Sequence, residues 1–406
     1  MSIQLSNFFS GIGAKKLSEV EVEPDISNQH EFNGVTALRD IFGTQKISFQ
    51  GRFIYLSDDE EQILEDTGNL TWYDSRIKDP TRSAEFRLYY SPNKVIDGAE
   101  QGDLAVIGRI SDDKLAILIA PKGSTSEKQL LWLFGLEDMG SSFVLKDLTD
   151  KDIQLNYAGQ YIISSFGFEI QDTAPDYLDE LIKRFSKGFP TTSEFSDYAR
   201  STIGDASAVD EPDTTLLNWM ERELLLFRTL ENHFVSKKLQ KGFGDTGTDV
   251  DDFISYSLSV QNRRKSRAGY AFENHLAVLF DSNNILYSRG CKTERNNKPD
   301  FLFPGISQYN NIGFATELLT MLGVKTTAKD RWRQVLSEAD RIENKHLITL
   351  EPAISKNQTD EMIAKNLQLV IPKQLQATYT EEQQSDMINL YEFIRIIKDN
   401  QNQNRN

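Results

Sequence analysis

One cysteine, Cys291, is present in 406 residues, so an internal disulfide cannot form and a reducing, cytoplasmic setting is expected. No apolar run is long enough to cross a bilayer core of about 30 Å, which argues against a helical membrane span. The start, Met1-Ser2-Ile3-Gln4-Leu5, lacks the basic and then apolar stretches of a secretory leader. Four scattered histidines, His30, His233, His275 and His346, together with one cysteine, write none of the familiar zinc spacings. A phosphate-binding lysine loop is missing too. Gly242-Phe243-Gly244 lacks the third glycine of a dinucleotide fingerprint. Structural zinc and nucleotide hydrolysis therefore have no support.

What is present begins with length, which predicts two or three core-bearing units. With 39% hydrophobic and 26% charged residues the composition is that of a globular chain. A net charge of −16 argues, as an average, against a polyanionic partner. The distribution differs: residues 1–160 carry 16 Lys and Arg against 26 Asp and Glu, whereas residues 261–300 carry 8 against 4. Such a local excess fits either a solvated face or a surface for an anion.

Between Gln45 and Phe143 the apolar residues fall in strand-length runs: 52–56, 86–90, 103–107 and 115–119, separated by turn formers such as Asp97-Gly98 and Pro121-Lys122-Gly123-Ser124. A β-rich module, barrel or sandwich, is expected over 1–185. Small polar residues around 186–213 suit a linker. Leu216, Leu217, Met220, Leu224, Phe227 and Leu230 then recur at helical spacing. A second helix is expected over Gly269–Ser282, strands at 300–303, 320–325, 346–350 and 367–371, and a helix from Asp330 to Asn344. Residues 214–406 thus read as an α/β domain, a mixed central sheet flanked by helices, and the whole chain as α+β and α/β units in series.

Asp300, Lys325 and Glu338 stand at predicted strand and helix ends. Two carboxylates converging on one point bind a hard cation, and a lysine beside them can orient water and stabilise charge on a phosphodiester. Glu338 follows Lys325 by 13 residues, so a helix packed across the strand could return it to Asp300. Spacing permits the cluster without demanding it; three solvated charges are the alternative. Arg263, Arg264, Lys265 and Arg267 precede the expected helix bearing Glu273, and Lys329, Arg331 and Arg333 open the helix bearing Glu338. Arginines can read a guanine edge and lysines can hold phosphates.

Lys241-Gly242-Phe243-Gly244, Asn262-Arg263-Arg264-Lys265-Ser266-Arg267-Ala268-Gly269, Lys298-Pro299-Asp300-Phe301-Leu302-Phe303-Pro304, Val324-Lys325-Thr326-Thr327 and Lys329-Asp330-Arg331-Trp332-Arg333-Gln334 occur in that order. Over 189–371 the chain resembles the catalytic domain of the EcoRII restriction endonuclease family, a branch of the PD-(D/E)XK nucleases. The resemblance implies a restriction-endonuclease-like fold and a type II enzyme hydrolysing double-stranded DNA with Mg²⁺. It makes Asp300 the central metal ligand, Lys325 the catalytic lysine, Glu338 the second metal ligand and Glu273 an auxiliary carboxylate. The usual carboxylate two positions before the lysine is replaced here by Gly323, with Glu338 standing in for it. Tyr309 falls where the family has a tyrosine near the site; a surface aromatic is the equal alternative.

The resemblance further implies a homodimer on a short palindromic site, related to CC/GG-flanked sequences, with Arg263, Arg264, Lys265 and Arg267 contacting bases and phosphates. A companion DNA methyltransferase is expected genetically rather than as a subunit. In that family the N-terminal domain is a β-barrel effector module that binds a second site. The words of this N-terminal half do not match that barrel, and an effector or regulatory role rests on domain order and β content. Two alternatives share the scaffold: a modification-sensing DNA-binding protein with a vestigial centre, and a nuclease for modified DNA. The presence of Asp300, Lys325, Glu273 and Glu338 together favours an active enzyme. Trp72, Tyr73, Phe86, Tyr89 and Tyr90 could form a cage for a flipped base, or simply a strand core.

Overall fold

The computed structural model describes residues 3–22, 30–57, 63–79, 81–137, 139–148, 153–168, 170, 175–186, 188–204, 207–328 and 331–403. The chain divides into two compact units, 2–170 and 171–406, the second also counting Met1.

In the first unit the apolar runs form β1 (Gly11–Lys16), β2 (Ile47–Tyr55), β3 (Leu64–Asp74), β4 (Phe86–Tyr90), β5 (Leu104–Ser111), β6 (Lys114–Ala120) and β7 (Val144–Asp147). They make one sheet in the order β4-β3-β2-β6-β5-β1-β7, with β4 and β7 at its ends, in place of the expected barrel or pair of stacked sheets. Only the β2–β6 pairing is parallel. The central strands are apolar on both faces for a physical reason: both faces are covered. Leu104, Val106, Ala116 and Leu118 pack with Leu130, Phe134, Ile162 and Ile163 of two helices, Thr125–Phe134 and Tyr157–Ser165. Ala105, Ile107, Leu115 and Ile117 pack on the other side with Phe49, Phe53, Trp72 and Leu38. Trp72, Phe86 and Tyr90 are buried in that core, Trp72 stacked on Phe86 at 5.0 Å, so these three are packing and not a cage, while Tyr73 is half-buried with its hydroxyl on Glu31 and Tyr89 is exposed.

The linker expected at 186–213 does not behave as one. Thr191 caps the helix Thr192–Ser201 through a capping box with Glu194, and Phe195, Tyr198 and Ala199 bury one face of it. With Leu181 they share a core with Leu226, Phe227 and Leu230, which ties this segment into the second unit and moves the division from residue 185 to 170. Apolar residues at i, i+3 and i+4 were masked by the serines and charges between them.

Two long helices follow, Pro212–Lys241 and Val250–Ser282. The second starts well before the expected Gly269: Asp249 caps it by accepting the Asp252 N–H at 2.9 Å, and a single interior glycine does not break it. Its apolar end, Phe272, Leu276, Leu279 and Phe280, is buried. The sheet comprises β8 (Ser288–Arg289), β9 (Phe301–Phe303), β10 (Thr320–Lys325), β11 (Lys345–Thr349) and β12 (Leu367–Val370), in the order β12-β11-β10-β9-β8. β9 runs antiparallel to β10, while β10, β11 and β12 are parallel, so the mixed sheet matches expectation. The helix expected over 330–344 is shorter, Trp332–Leu336. Its continuation is stopped by Ala339 at φ 51° and by Asn297, whose side-chain amide donates to the Ser337 carbonyl at 2.5 Å.

Candidate active site

Asp300 immediately precedes β9 and Lys325 ends β10, and the antiparallel register Leu322↔Phe301 brings those two positions together. One oxygen, Oδ2 of Asp300, accepts both the Val324 N–H at 2.6 Å and the Lys325 ammonium at 3.0 Å. Both side chains are largely shielded, 18% and 19% exposed, which strengthens the pairing relative to open water.

Glu338 lies within electrostatic range of Asp300 and Lys325, two residues beyond the short helix Trp332–Leu336. A Cβ on Gly323 would lie 2.8 Å from Cγ2 of Val335, so the short helix lies directly against β10 where the usual carboxylate would stand. Glu338 follows Val335 by three residues, with its N–H donating to the Val335 carbonyl at 3.1 Å. Burial pushes the Glu338 carboxyl up to about 7, and the Asp300 charge adds to that, with Lys325 and Lys345 acting against it. Among the described residues, Oε2 of Glu338 is buried and has no hydrogen-bond partner.

Glu273 comes from the helix Val250–Ser282. It too is raised, first by burial and then by Asp300, with Arg289 and Lys325 pulling the other way. The Arg289 guanidinium donates from Nε to Glu273 Oε2 at 3.1 Å and from Nη1 to Asn274 Oδ1 at 2.8 Å, with Nη2 in an ion pair 3.0 Å from the same Glu273 oxygen. Asn274 in turn donates to Ser196 Oγ at 3.1 Å. Asp300, Lys325, Glu338 and Glu273 thus lie within electrostatic reach of one another. Among the described residues no set of three His, Cys, Asp or Glu side chains is grouped to hold a metal ion. A hard cation such as Mg²⁺ needs only one or two carboxylates, with water and phosphate completing its shell. An unpartnered buried oxygen of Glu338 facing the field of Asp300 fits such an ion, which would relieve their repulsion.

The basic run is split by the structure. Lys265 is exposed, Arg263 is half-buried with its guanidinium 4.6 Å from the Phe189 ring centre, and Arg264 is exposed but donates to the fully buried Glu231 at 2.6 Å. Arg267, expected as a DNA contact, is half-buried. Its guanidinium sits among the rings of Phe189, Phe195 and Phe227 at 5.3, 5.6 and 5.5 Å and donates to the Pro190 carbonyl, and burial lowers its pKa. Arg331 is exposed; Arg333 is exposed and paired with Glu361 at 2.8 Å; Lys329 lies outside the described residues.

Tyr309 is buried, not a surface aromatic. Its hydroxyl donates to the Glu294 carboxylate at 2.7 Å and accepts the Arg341 N–H at 3.2 Å. Arg341 also donates to the carbonyls of Tyr309, Asn311 and Phe314. Arg289, Glu294, Asn297 and Arg341 escaped the sequence reading. The one available signal was the cation excess over 261–300, half of which comes from Arg289, Lys292, Arg295 and Lys298.

An α/β domain with an Asp–Lys pair across adjacent strands and two further carboxylates, one on a helix and one just beyond a helix end, is the class of protein this geometry defines. Residues 227–394 match the family model described as EcoRII C terminal. Over 229 residues, 56% of this chain, the sequence is 39% identical to the type II restriction enzyme EcoRII of Escherichia coli, covering 55% of that protein. The chain spans about half the length of that curated relative. Similar solved structures include metal-depleted Ecl18kI with uncleaved DNA, at 19% identity and TM-score 0.45 over 56% of this chain and 84% of that one. The PspGI endonuclease–substrate DNA complex is 14% identical, TM-score 0.41, over 53% and 94%. Residues 227–394 are thus similar to the C-terminal domain of EcoRII.

Proposed function

We propose that this chain is a type II restriction endonuclease: a Mg²⁺-dependent, site-specific deoxyribonuclease of the PD-(D/E)XK class, working as a homodimer on double-stranded DNA. The observation that carries the reading is the Asp300–Lys325 pair flanked by the raised carboxyls of Glu338 and Glu273, inside a segment of EcoRII type. Asp300 and Glu338 would hold Mg²⁺, which when bound activates water and neutralises charge on the phosphodiester. Lys325, held against Asp300, directs its ammonium at the reacting phosphate, where it orients the nucleophile and offsets developing negative charge. Glu273, fixed by Arg289, completes the acidic wall as the auxiliary carboxylate. Arg263, Arg264, Lys265, Lys329, Arg331 and Arg333 remain DNA contacts in this reading.

A homodimer places two such centres on the two strands of a palindrome, related to a CC/GG-flanked site. The unit 2–170 serves as a regulatory or effector module, and a separate methyltransferase protects host DNA. Among the described residues no helix is long and apolar enough to cross a membrane. Incubating the intact protein with plasmid DNA and Mg²⁺ should give discrete fragments, and Asp300→Ala should give none. Binding of duplex DNA without any cleavage by the intact protein would replace this reading with that of a DNA-binding protein.

A further inference from the structure

The segment between β8 and β9 runs from Gly290 to Asp300 and forms a tied loop. The Thr293 N–H donates to the Asn297 carbonyl at 2.9 Å, and the Asn297 N–H donates to Glu294 O at 3.0 Å. Two successive non-glycine residues, Arg295 at φ 56° and Asn296 at φ 62°, are left-handed. Such left-handed positions are strained for non-glycine residues and persist only when their surroundings hold them there. The surroundings do so at three points. Tyr309 fixes Glu294, Asn297 donates to the Ser337 carbonyl, and Arg295 pairs with Asp340 at 3.3 Å. Ser337 and Asp340 bracket Glu338, and the loop itself runs into Asp300. One rigid piece of chain is thereby tied to both proposed metal ligands.

The loop carries an outward charge. Lys292, Arg295 and Lys298 are exposed, Arg295 to 77% of its side chain. Among the described residues neither Lys292 nor Lys298 has an ion-pair partner, while Glu294, the carboxylate that stands between them in the chain, is held by Tyr309. A strained, pinned loop with three outward cations next to an acidic centre is suited to an extended polyanion whose backbone must be held near those carboxylates.

We propose that Lys292, Arg295 and Lys298 form a phosphate-contact site for the DNA backbone flanking the bond to be cut, and that the loop's ties to Ser337 and Asp340 hold this contact in register with Glu338. The proposal rests on the nuclease reading and adds a binding element that lies outside both basic runs of the sequence. Tyr309 acts here as a positioning residue, through Glu294, without touching the reacting groups.

The test is the salt dependence of binding by the full-length protein to a mixed-sequence DNA duplex of about 30 base pairs, with the metal chelated so that nothing is cut. Fluorescence anisotropy gives the slope of log affinity against log salt for the wild type and for the triple variant Lys292→Gln, Arg295→Gln, Lys298→Gln. Each lost contact flattens the slope by about 0.9, so the triple variant should lose roughly 2 to 3 units. If the triple variant does not fold, Lys292→Gln and Lys298→Gln, both exposed, should each lose about one unit. A folded triple variant, or folded single variants, with the wild-type slope would overturn this proposal alone, provided the wild type cleaves plasmid. A wild type that binds no duplex and cleaves none would overturn both this proposal and the nuclease reading.

Discussion

The ammonium of Lys325 and the backbone N–H of Val324 converge on a single oxygen of Asp300, at 3.0 and 2.6 Å. Strand β10 therefore holds Asp300 twice, once by its backbone and once by the side chain that ends it. This double grip fixes the carboxylate before any substrate arrives, and it leaves Oδ1 free of both bonds. Preorganisation of this kind removes reorganisation from the reactive step.

Replacing Lys325 with Met keeps the chain length and removes the charge. Single-turnover cleavage should fall by roughly 10²- to 10⁴-fold, the range for loss of a positioned acid–base or electrostatic group. Affinity for duplex DNA measured without metal should change by far less. A Met variant that cleaves within a few-fold of wild type would remove Lys325 from the chemistry.

Gly323 stands where the usual carboxylate would be, and Glu338 is the residue proposed to take its place. The Gly323 Cα faces Val335 so closely that a Cβ would lie 2.8 and 3.0 Å from the two methyl carbons of that side chain. Gly323→Ala should destabilise the second unit by about 1–3 kcal/mol through overpacking. It should also slow cleavage more than it weakens binding, because the displaced helix carries Glu338 with it. Adding Val335→Ala should restore part of the rate; no restoration in the double variant would show that the contact does not position Glu338.

The place of Arg267 among aromatic rings makes a stability prediction. Its cation lies among three aromatic rings and against the Pro190 carbonyl, so Arg267→Ala removes packing as well as charge. A loss of about 2 kcal/mol in denaturant unfolding is expected, with the salt slope of DNA binding unchanged. A flattened slope at full stability would return Arg267 to the DNA interface.

The parts legible in the sequence share a physical property. Strands β9 to β12 read as apolar runs because both faces of the sheet are buried, and Asp300 and Lys325 stood out as charges at the ends of such runs. The helix Thr192–Ser201 was hidden because its three buried apolar residues, Phe195, Tyr198 and Ala199, are spaced among serines and charges. Whether Arg267 faces solvent or Phe227 depends on which side of a 33-residue helix meets its neighbours, and composition does not encode that. The early end of the Trp332–Leu336 helix is likewise a tertiary effect, set by Asn297 from another segment, and no local breaker in the sequence announces it. Glu338 could be proposed from spacing, but its place beside Asp300 depended on that turn.

His346, on β11, sets a pH dependence that can be isolated. Burial drives its pKa down from 6.5 to about 4, partly opposed by a backbone bond involving Met321, and its ring lies 5.1 Å from that of Phe393. Between those two values the unfolded chain binds a proton that the folded chain does not, so stability falls as pH drops from 6.5 toward 4. The shift corresponds to roughly 3 kcal/mol at most. Glu338 acts in the opposite sense: its raised carboxyl binds a proton first in the folded state, so its contribution grows as pH falls from about 7 toward 4.5. The measurement is therefore a difference between variants, with unfolding midpoints followed from pH 7 to 4 for wild type, His346→Leu and Glu338→Gln. His346→Leu should lose less stability on acidification than wild type, and Glu338→Gln should lose more. Parallel curves for wild type and His346→Leu would mean that His346 becomes protonated without unfolding the domain.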